Sequence, residues 1–256
     1  MSAWVFWISA VCLVHIYLGY PVLAFLAARL RPRPVRKQAF DRTFSVVVVA
    51  WNEEKRIAAK LASILGSGIS DRILDLLVAS DGSTDRTAAA ARAVADPRIR
   101  VIEYPARRGK AATLNDAVPE CRGEVVVLTD ARQELDPNAL GNLLAAFADE
   151  RVGVVSGELV FRRGERDTAA ARGIDAYWNY EKFIRKNESR FDSVPGATGA
   201  LYAIRRELFQ PVPADTLLDD VVIPMQAVRR GFRCVVEETA WVYDTPSQSP
   251  AQEAVR

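Results

Sequence analysis

The chain has 256 residues, half of them hydrophobic, with 34 Lys and Arg against 32 Asp and Glu and a formal net charge of +2. That length supports one well-buried domain rather than two large ones, and the composition is globular rather than disordered. Five of the basic residues cluster at Arg29, Arg31, Arg33, Arg36 and Lys37, which leaves 29 basic against 32 acidic residues for the body and no positive field for nucleic acid.

The first 28 residues contain no Lys, Arg, Asp or Glu. That exceeds the roughly 20 apolar residues needed to cross a bilayer. A signal peptide is the competing reading, but no basic start precedes the run, and aromatic residues stand at both ends of it (Trp4, Phe6, Trp7; Tyr17, Tyr20, Phe25). The basic cluster that follows is of the kind retained on the cytoplasmic side and suits anionic headgroups. The expectation is a transmembrane helix over residues 1–30, a basic linker over 31–43 and a domain over 44–256. The protein would sit in the cell membrane by a single pass, with that domain in the cytoplasm.

Chemistry that needs a histidine is excluded from the main domain, because the only one, His15, lies in the apolar run. Cys12, Cys121 and Cys234 have neither metal-ligand spacing nor an even count, and read as buried or free thiols.

Beyond the linker, Phe44 to Ala50 is a buried strand that ends at Trp51 to Glu54, and an amphipathic helix then runs to about Leu65. A second strand, Ile73 to Ser80, leads into Asp81 and Gly82, then an alanine-rich helix from about Thr84 to Ala95 that Ser83 or Thr84 can cap. A third strand covers Arg100 to Tyr104. Arg107, Arg108, Gly109 and Lys110 then open a helix containing Asn115. Cations beside a glycine at a helix start suit an anion, although an ordinary solvated turn fits as well. Glu124 to Thr129 is a fourth strand delivering Asp130, and Pro137 to Ala148 the next helix. Val152 to Phe161 reads as one or two strands. Strands alternating with helices imply an α/β fold with a mostly parallel sheet.

After a polar stretch at 163–170, a helix of roughly Ala171 to Arg185 mixes aromatic and basic residues, as an interfacial membrane helix or an amphipathic core helix would. Gly196 to Ala200 is a small-residue loop before the strand Leu201 to Ile204. Asp219 and Asp220 open a helix to about Arg230, and Phe232 to Glu237 is the last strand. Asp81, Asp130 and the Asp219–Asp220 pair thus all follow apolar runs. Ligands of open α/β sheets bind beyond the carboxyl ends of strands, so one polar site accounts for all of them. The plain alternatives are a turn at Asp81–Gly82 and helix caps at Asp219 or Asp220.

Six segments in this order, VVVVAWNEE (46–54), ASDGSTDRT (79–87), RRGKAATLN (107–115), LTDAR (128–132), GATGALYAIR (196–205) and LLDDVV (217–222), resemble family 2 glycosyltransferases with the GT-A fold. The likeness is to the membrane-bound branch that makes cellulose, hyaluronan, chitin and poly-N-acetylglucosamine. It implies an inverting transfer from a nucleotide-sugar donor, UDP-linked first, to a saccharide or lipid-linked acceptor. It further implies that Asp81 holds the base in a pocket with Ala50, Asn52 and Glu54, and that Lys110 lies close by. Asp130 would approach the diphosphate and a divalent Mg²⁺ or Mn²⁺, Asp220 would be the general base beside Asp219, and Gly196, Thr198 and Gly199 would face the acceptor.

Two departures accompany the resemblance. Arg132 stands where the family's DxD motif has its second acid, which predicts weaker metal binding or a guanidinium sharing the metal's task. Processive members carry a QxxRW motif and further membrane helices past the base, and neither is seen before Arg256, so the expectation is a shortened product or a membrane partner that supplies a pore. Two other readings remain: a catalytically impaired nucleotide-sugar-binding or assembly subunit, and a nucleotidyltransferase or other α/β nucleotide-binding enzyme. The second is disfavoured because Trp51, Asn52 and Glu53, not a glycine-rich phosphate loop, follow the first strand.

Overall fold

The computed structural model describes residues 2–161 and 169–244. The chain divides into two compact units. The polar stretch expected from 163 lies mainly outside the described residues.

The first unit is built from α1 (Ser2–Val14), a π-helical turn (His15–Gly19), α2 (Tyr20–Leu30) and, from later in the chain, α7 (Ala169–Phe191). Ala3–Leu30 is long and apolar enough to cross a membrane. Pro21 has no N–H, so the Tyr17 carbonyl one turn back loses its helical partner. Tyr180 of α7 supplies a replacement, its hydroxyl donating to Tyr17 O at 2.8 Å. Phe25 stacks on Phe183 at 6.1 Å, Tyr20 donates to Glu188, and Arg33 pairs with Asp192 at 2.6 Å. The helix expected from 171 to 185 is therefore longer at both ends and groups with the N-terminal helices. The sequence offered no pattern for that choice, because its partner lies some 160 residues earlier.

The second unit is a mixed eight-stranded sheet flanked by helices. Its strands are β1 (Phe44–Ala50), β2 (Ile73–Asp81), β3 (Ile99–Tyr104), β4 (Val125–Asp130), β5 (Glu134–Leu135), β6 (Val152–Phe161), β7 (Leu201–Arg205) and β8 (Arg233–Asp244). They lie in the order β3-β2-β1-β4-β7-β6-β8-β5. β1 pairs in parallel with β2 and β4, β2 with β3 and β6 with β8, whereas β7 is antiparallel to both β4 and β6. The expected parallel character therefore holds for the first half, and the antiparallel β7 makes the whole mixed. Val46, Val47 and Val48 of β1 are buried on both faces, as a central parallel strand requires. Each contributes on the order of 2 kcal/mol of burial. The connecting helices are α3 (Ile57–Leu65), α4 (Thr87–Arg92), α5 (Lys110–Ala117), α6 (Ala139–Ala145) and α8 (Asp219–Arg229).

Some boundaries differ from expectation for local reasons. α4 begins at Thr87 instead of Thr84 because Ser83 and Thr84 are occupied with Asn52, and Asp85 receives the Thr87 amide at 2.9 Å. α6 is trimmed at both ends, closing in a 3-10 turn at Ala146–Ala148. β8 continues seven residues past Glu237 through a charged stretch that reads as a strand's end. Glu237 is held there by Lys37 at 2.5 Å, and β6 absorbs the irregularity beside Gly157, where a Cβ would meet Ala240 O at 2.9 Å.

Two features of the topology position the site. The chain runs β1, β2, β3 outward and then returns to β4 on the other side of β1, so the strand order reverses between β1 and β4, where such sheets hold ligands. Because β7 is antiparallel, its first residue Leu201 pairs with Thr129, which brings the Gly196–Ala200 loop to the carboxyl end of β4.

Candidate active site

Asp130 is the last residue of β4, in register with Val49 of β1. Lys110 is the first residue of α5, behind Gly109, whose φ of 92° lies in the left-handed region that glycine tolerates. The Lys110 Nζ donates to Asp130 Oδ1 at 2.8 Å and lies 3.7 Å from Asp219 Oδ2. Burial works against the ammonium charge, but Asp130, Asp219 and Asp220 outweigh it and hold Lys110 above the ordinary lysine range.

Asp219 and Asp220 form the first turn of α8. Asp219 is buried, its Oδ2 lacks a hydrogen-bond partner, and burial, opposed by Lys110 but reinforced by Asp220 and Asp130, pushes its carboxyl upward. Asp220 is half-buried and reaches the 196–200 loop twice. Its backbone oxygen accepts from Ala197 N at 2.8 Å and its Oδ2 from Gly199 N at 3.0 Å. A methyl on Gly199 would stand 3.0 Å from Asp220 Oδ2 and 3.4 Å from Lys110 Nζ. Gly199 thus lies between the two charges, and the absence of its side chain keeps that space open. Gly196 takes φ 152° against Val221, and Thr198 N donates to Ser156 Oγ at 3.0 Å.

The expected base pocket is ordered by its own residues. Asp81 is buried and accepts the backbone amides of Arg108 and Gly109, each at 2.9 Å, which fixes the approach to Lys110. Asn52, at a positive φ of 54°, accepts from Thr84 N at 2.8 Å, and Glu54 accepts from Arg86 N at 3.1 Å. These side chains tie the loop after β1 to the loop after β2, and Ala50 at the end of β1 lies in register with Ser80. The Arg107 guanidinium lies 3.6 Å from the centre of the Trp51 ring, a flat pair that motif reading did not single out.

A divalent cation fits here only in one form. Among the described residues no group of three or more His, Cys, Asp or Glu side chains is arranged to hold a metal. Asp130 offers one carboxylate, already shared with Lys110. Mg²⁺ commonly binds through one or two carboxylates plus substrate phosphates, so the donor set suits an ion brought with a diphosphate. Arg132, for which sharing the metal's task was one of two expectations, points elsewhere: its Nε and Nη2 donate to Asp244 Oδ2 at 3.1 and 2.7 Å, and Gln133 Nε2 donates to the same oxygen at 3.2 Å.

Two further buried groups escaped the sequence reading. Lys60, on the apolar face of α3 with Ile57, Leu61 and Ile64, is fully buried and donates to Thr129 Oγ1 at 2.7 Å and Gln133 O at 2.8 Å. A lysine at an apolar helical position was the available signal. Tyr202, on β7, is buried with an unpartnered hydroxyl, and burial, with Asp219, Asp220 and Asp130 nearby, raises it well above its ordinary range. In a strand of apolar residues it carries no mark of its own.

The family model for Glycosyl transferase family 2 matches residues 45–212, a span that holds every expected site residue except Asp219 and Asp220. The chain belongs to that family. It is 29% identical to an N-acetylglucosaminyltransferase of Azorhizobium caulinodans over 175 residues, 66% of this chain and 44% of that one. A poly-beta-1,6-N-acetyl-D-glucosamine synthase of Staphylococcus aureus is 21% identical over 199 residues, 76% of this chain and 48% of that one. The chain therefore spans about half the length of these curated relatives. Among solved structures, the mannosyltransferase PcManGT from Pyrobaculum calidifontis, in complex with GDP-Man and Mn²⁺, superposes with a TM-score of 0.77 at 26% identity, covering 96% of this chain and 70% of that one. S. aureus TarS in complex with UDP-GlcNAc shares the fold at a TM-score of 0.63 and 19% identity, covering 83% of this chain and 61% of that one. The GT-A fold expectation is thereby met.

Proposed function

We propose that this family 2 member is a membrane-anchored, inverting glycosyltransferase that moves a sugar from a nucleotide-sugar, UDP-linked first, to a saccharide or lipid-linked acceptor in extracellular polysaccharide synthesis. The observation that carries the reading is the convergence of Lys110, Asp130, Asp219 and Asp220 around the side-chain-free Gly199. The relatives that act in polysaccharide synthesis support the pathway class, and Ala3–Leu30 followed by the basic cluster supports an anchor with the transferase domain on the cytoplasmic side.

In this reading the base binds near Asp81, Asn52 and Glu54 beyond Ala50, and the diphosphate lies against Lys110 and the N-terminus of α5. An acceptor hydroxyl approaching past Gly196, Thr198 and Gly199 meets Asp220. Its oxygen forms a bond to the anomeric carbon as the bond to the diphosphate breaks. The diphosphate leaves with that electron pair, and the proton passes to Asp220. One in-line displacement inverts the anomeric centre. Asp219 stands beside it, its carboxyl pushed upward by burial against the pull of Lys110. A divalent cation held by Asp130 and the donor's phosphates would offset charge on the leaving group.

The test is transfer or hydrolysis of radiolabelled UDP- and GDP-sugars by the full chain in detergent with Mn²⁺. Nucleotide binding without turnover of any donor would favour a binding or assembly subunit instead.

A further inference from the structure

Lys60 is the most deeply buried cation among the described residues, and the transfer mechanism does not use it. Its α3 neighbours Ile57, Leu61 and Ile64 are core residues with no exposed surface, so the position belongs to the hydrophobic core. An apolar side chain of similar volume would fill it at lower cost than a charge taken out of water. What only the amine contributes is its pair of hydrogen bonds, to Thr129 Oγ1 at 2.7 Å and to Gln133 O at 2.8 Å.

Those two acceptors bracket Asp130, Ala131 and Arg132. One amine therefore ties down both ends of the short segment that carries the donor-side carboxylate. Thr129 extends the tie, since its Oγ1 donates to Ala200 O at 2.6 Å, the last residue of the glycine-containing loop that faces Asp220. From the other direction, the Arg132 and Gln133 bonds to Asp244 hold the same segment against β8. With an arginine in place of the motif's second acid, the segment is fixed by these tethers and not by a second metal ligand.

We propose that Lys60 is a positioning residue that sets the Asp130 carboxylate for the donor diphosphate, acting through Thr129 and Gln133. The proposal rests on the reading that Asp130 faces the donor. Loss of the amine leaves Asp130 in place chemically but frees its segment, so donor affinity falls, while Asp220 keeps its own bonds to Gly199 N and Ala197 N.

The experiment is calorimetric titration of the full chain with UDP or GDP, whichever the unaltered protein takes, in Mn²⁺, together with steady-state turnover of the matching nucleotide-sugar. Lys60→Met is expected to weaken nucleotide binding and raise the donor KM about tenfold, the usual scale for groups supporting a ligand. Its kcat is expected to change by less than about threefold, since Asp220 keeps its contacts to Gly199 and Ala197 and Lys110 its charge. Thr129→Val, which keeps the lysine, is expected to shift the same quantities in the same direction by about threefold. A merely structural role would lower the binding stoichiometry and the unfolding temperature while leaving Kd and KM unchanged. That outcome in both variants, or in Thr129→Val alone if Lys60→Met does not fold, overturns the proposal. An unaltered chain that binds neither nucleotide overturns the donor reading itself, and the proposal with it.

Discussion

The Nζ of Lys110 lies 2.8 Å from Asp130 Oδ1, so the cation expected near the leaving group and the carboxylate expected near the metal begin as an ion pair. Binding of a diphosphate has to replace or widen that contact. Lys110→Met leaves Asp130 beside Asp219 and Asp220 without a counter-charge and removes a charge-assisted contact to the donor. The expected loss is about 2 kcal/mol of nucleotide affinity, roughly thirtyfold in Kd, read by calorimetry.

Gly199 tests the space between the proposed donor and base positions. Its missing side chain leaves open the position 3.0 Å from Asp220 Oδ2 and 3.4 Å from Lys110 Nζ. Gly199→Ala is expected to reduce kcat/KM about a hundredfold, the effect of an ångström-scale misplacement at a reacting centre. The thermal midpoint is expected to hold within about 4 °C. Equal activity in the two proteins would show that nothing reacts at this position.

Arg132→Asp restores the acid-x-acid spacing of the motif, yet it is expected to destabilise the protein. It removes the guanidinium from the buried Asp244 and puts a like charge in its place. Breaking one side of a buried pair costs about 3 kcal/mol, which for a chain of this size lowers the thermal midpoint by about 6–12 °C. Full stability together with tighter Mn²⁺ binding would show that Arg132 is a simple replacement of a metal ligand.

How far the sequence was readable follows from the range of the interactions. β1 and β4 were evident because a central strand buried on both faces needs uninterrupted valines, and the carboxylates at the strand ends were evident because the apolar runs stop at them. The convergence of Lys110, Asp130 and Asp220 was legible only through motif order, since it depends on an antiparallel β7 that no local pattern announces. The pairing of Arg132 with Asp244 spans 112 positions and left no trace in either segment. The grouping of α7 with the N-terminal helices rests on contacts such as Tyr180 with Tyr17, which are 163 positions apart in sequence.

Lys60 also predicts a pH dependence of stability. Burial, opposed by Asp130 and Glu134, lowers its pKa from 10.5 to about 7. A folded-state pKa below the unfolded one means that the unfolded chain binds more protons between those values. The contribution of Lys60 is therefore fully present above about pH 10.5 and is lost as pH falls towards 7. The thermal midpoint of the unaltered protein, taken relative to Lys60→Met, is expected to rise between pH 7 and pH 9. A flat difference across that range would show that the lysine is charged and paired throughout.

The central claim is that Asp220 takes the acceptor's proton in sugar transfer. Its most direct test compares the unaltered chain with Asp220→Asn in transfer from a radiolabelled nucleotide-sugar, alongside calorimetric binding of the nucleotide. The account predicts that the amide variant binds nucleotide with the same Kd and loses about a thousandfold or more in transfer, the scale of a general base. Equal transfer rates in the two proteins would contradict it.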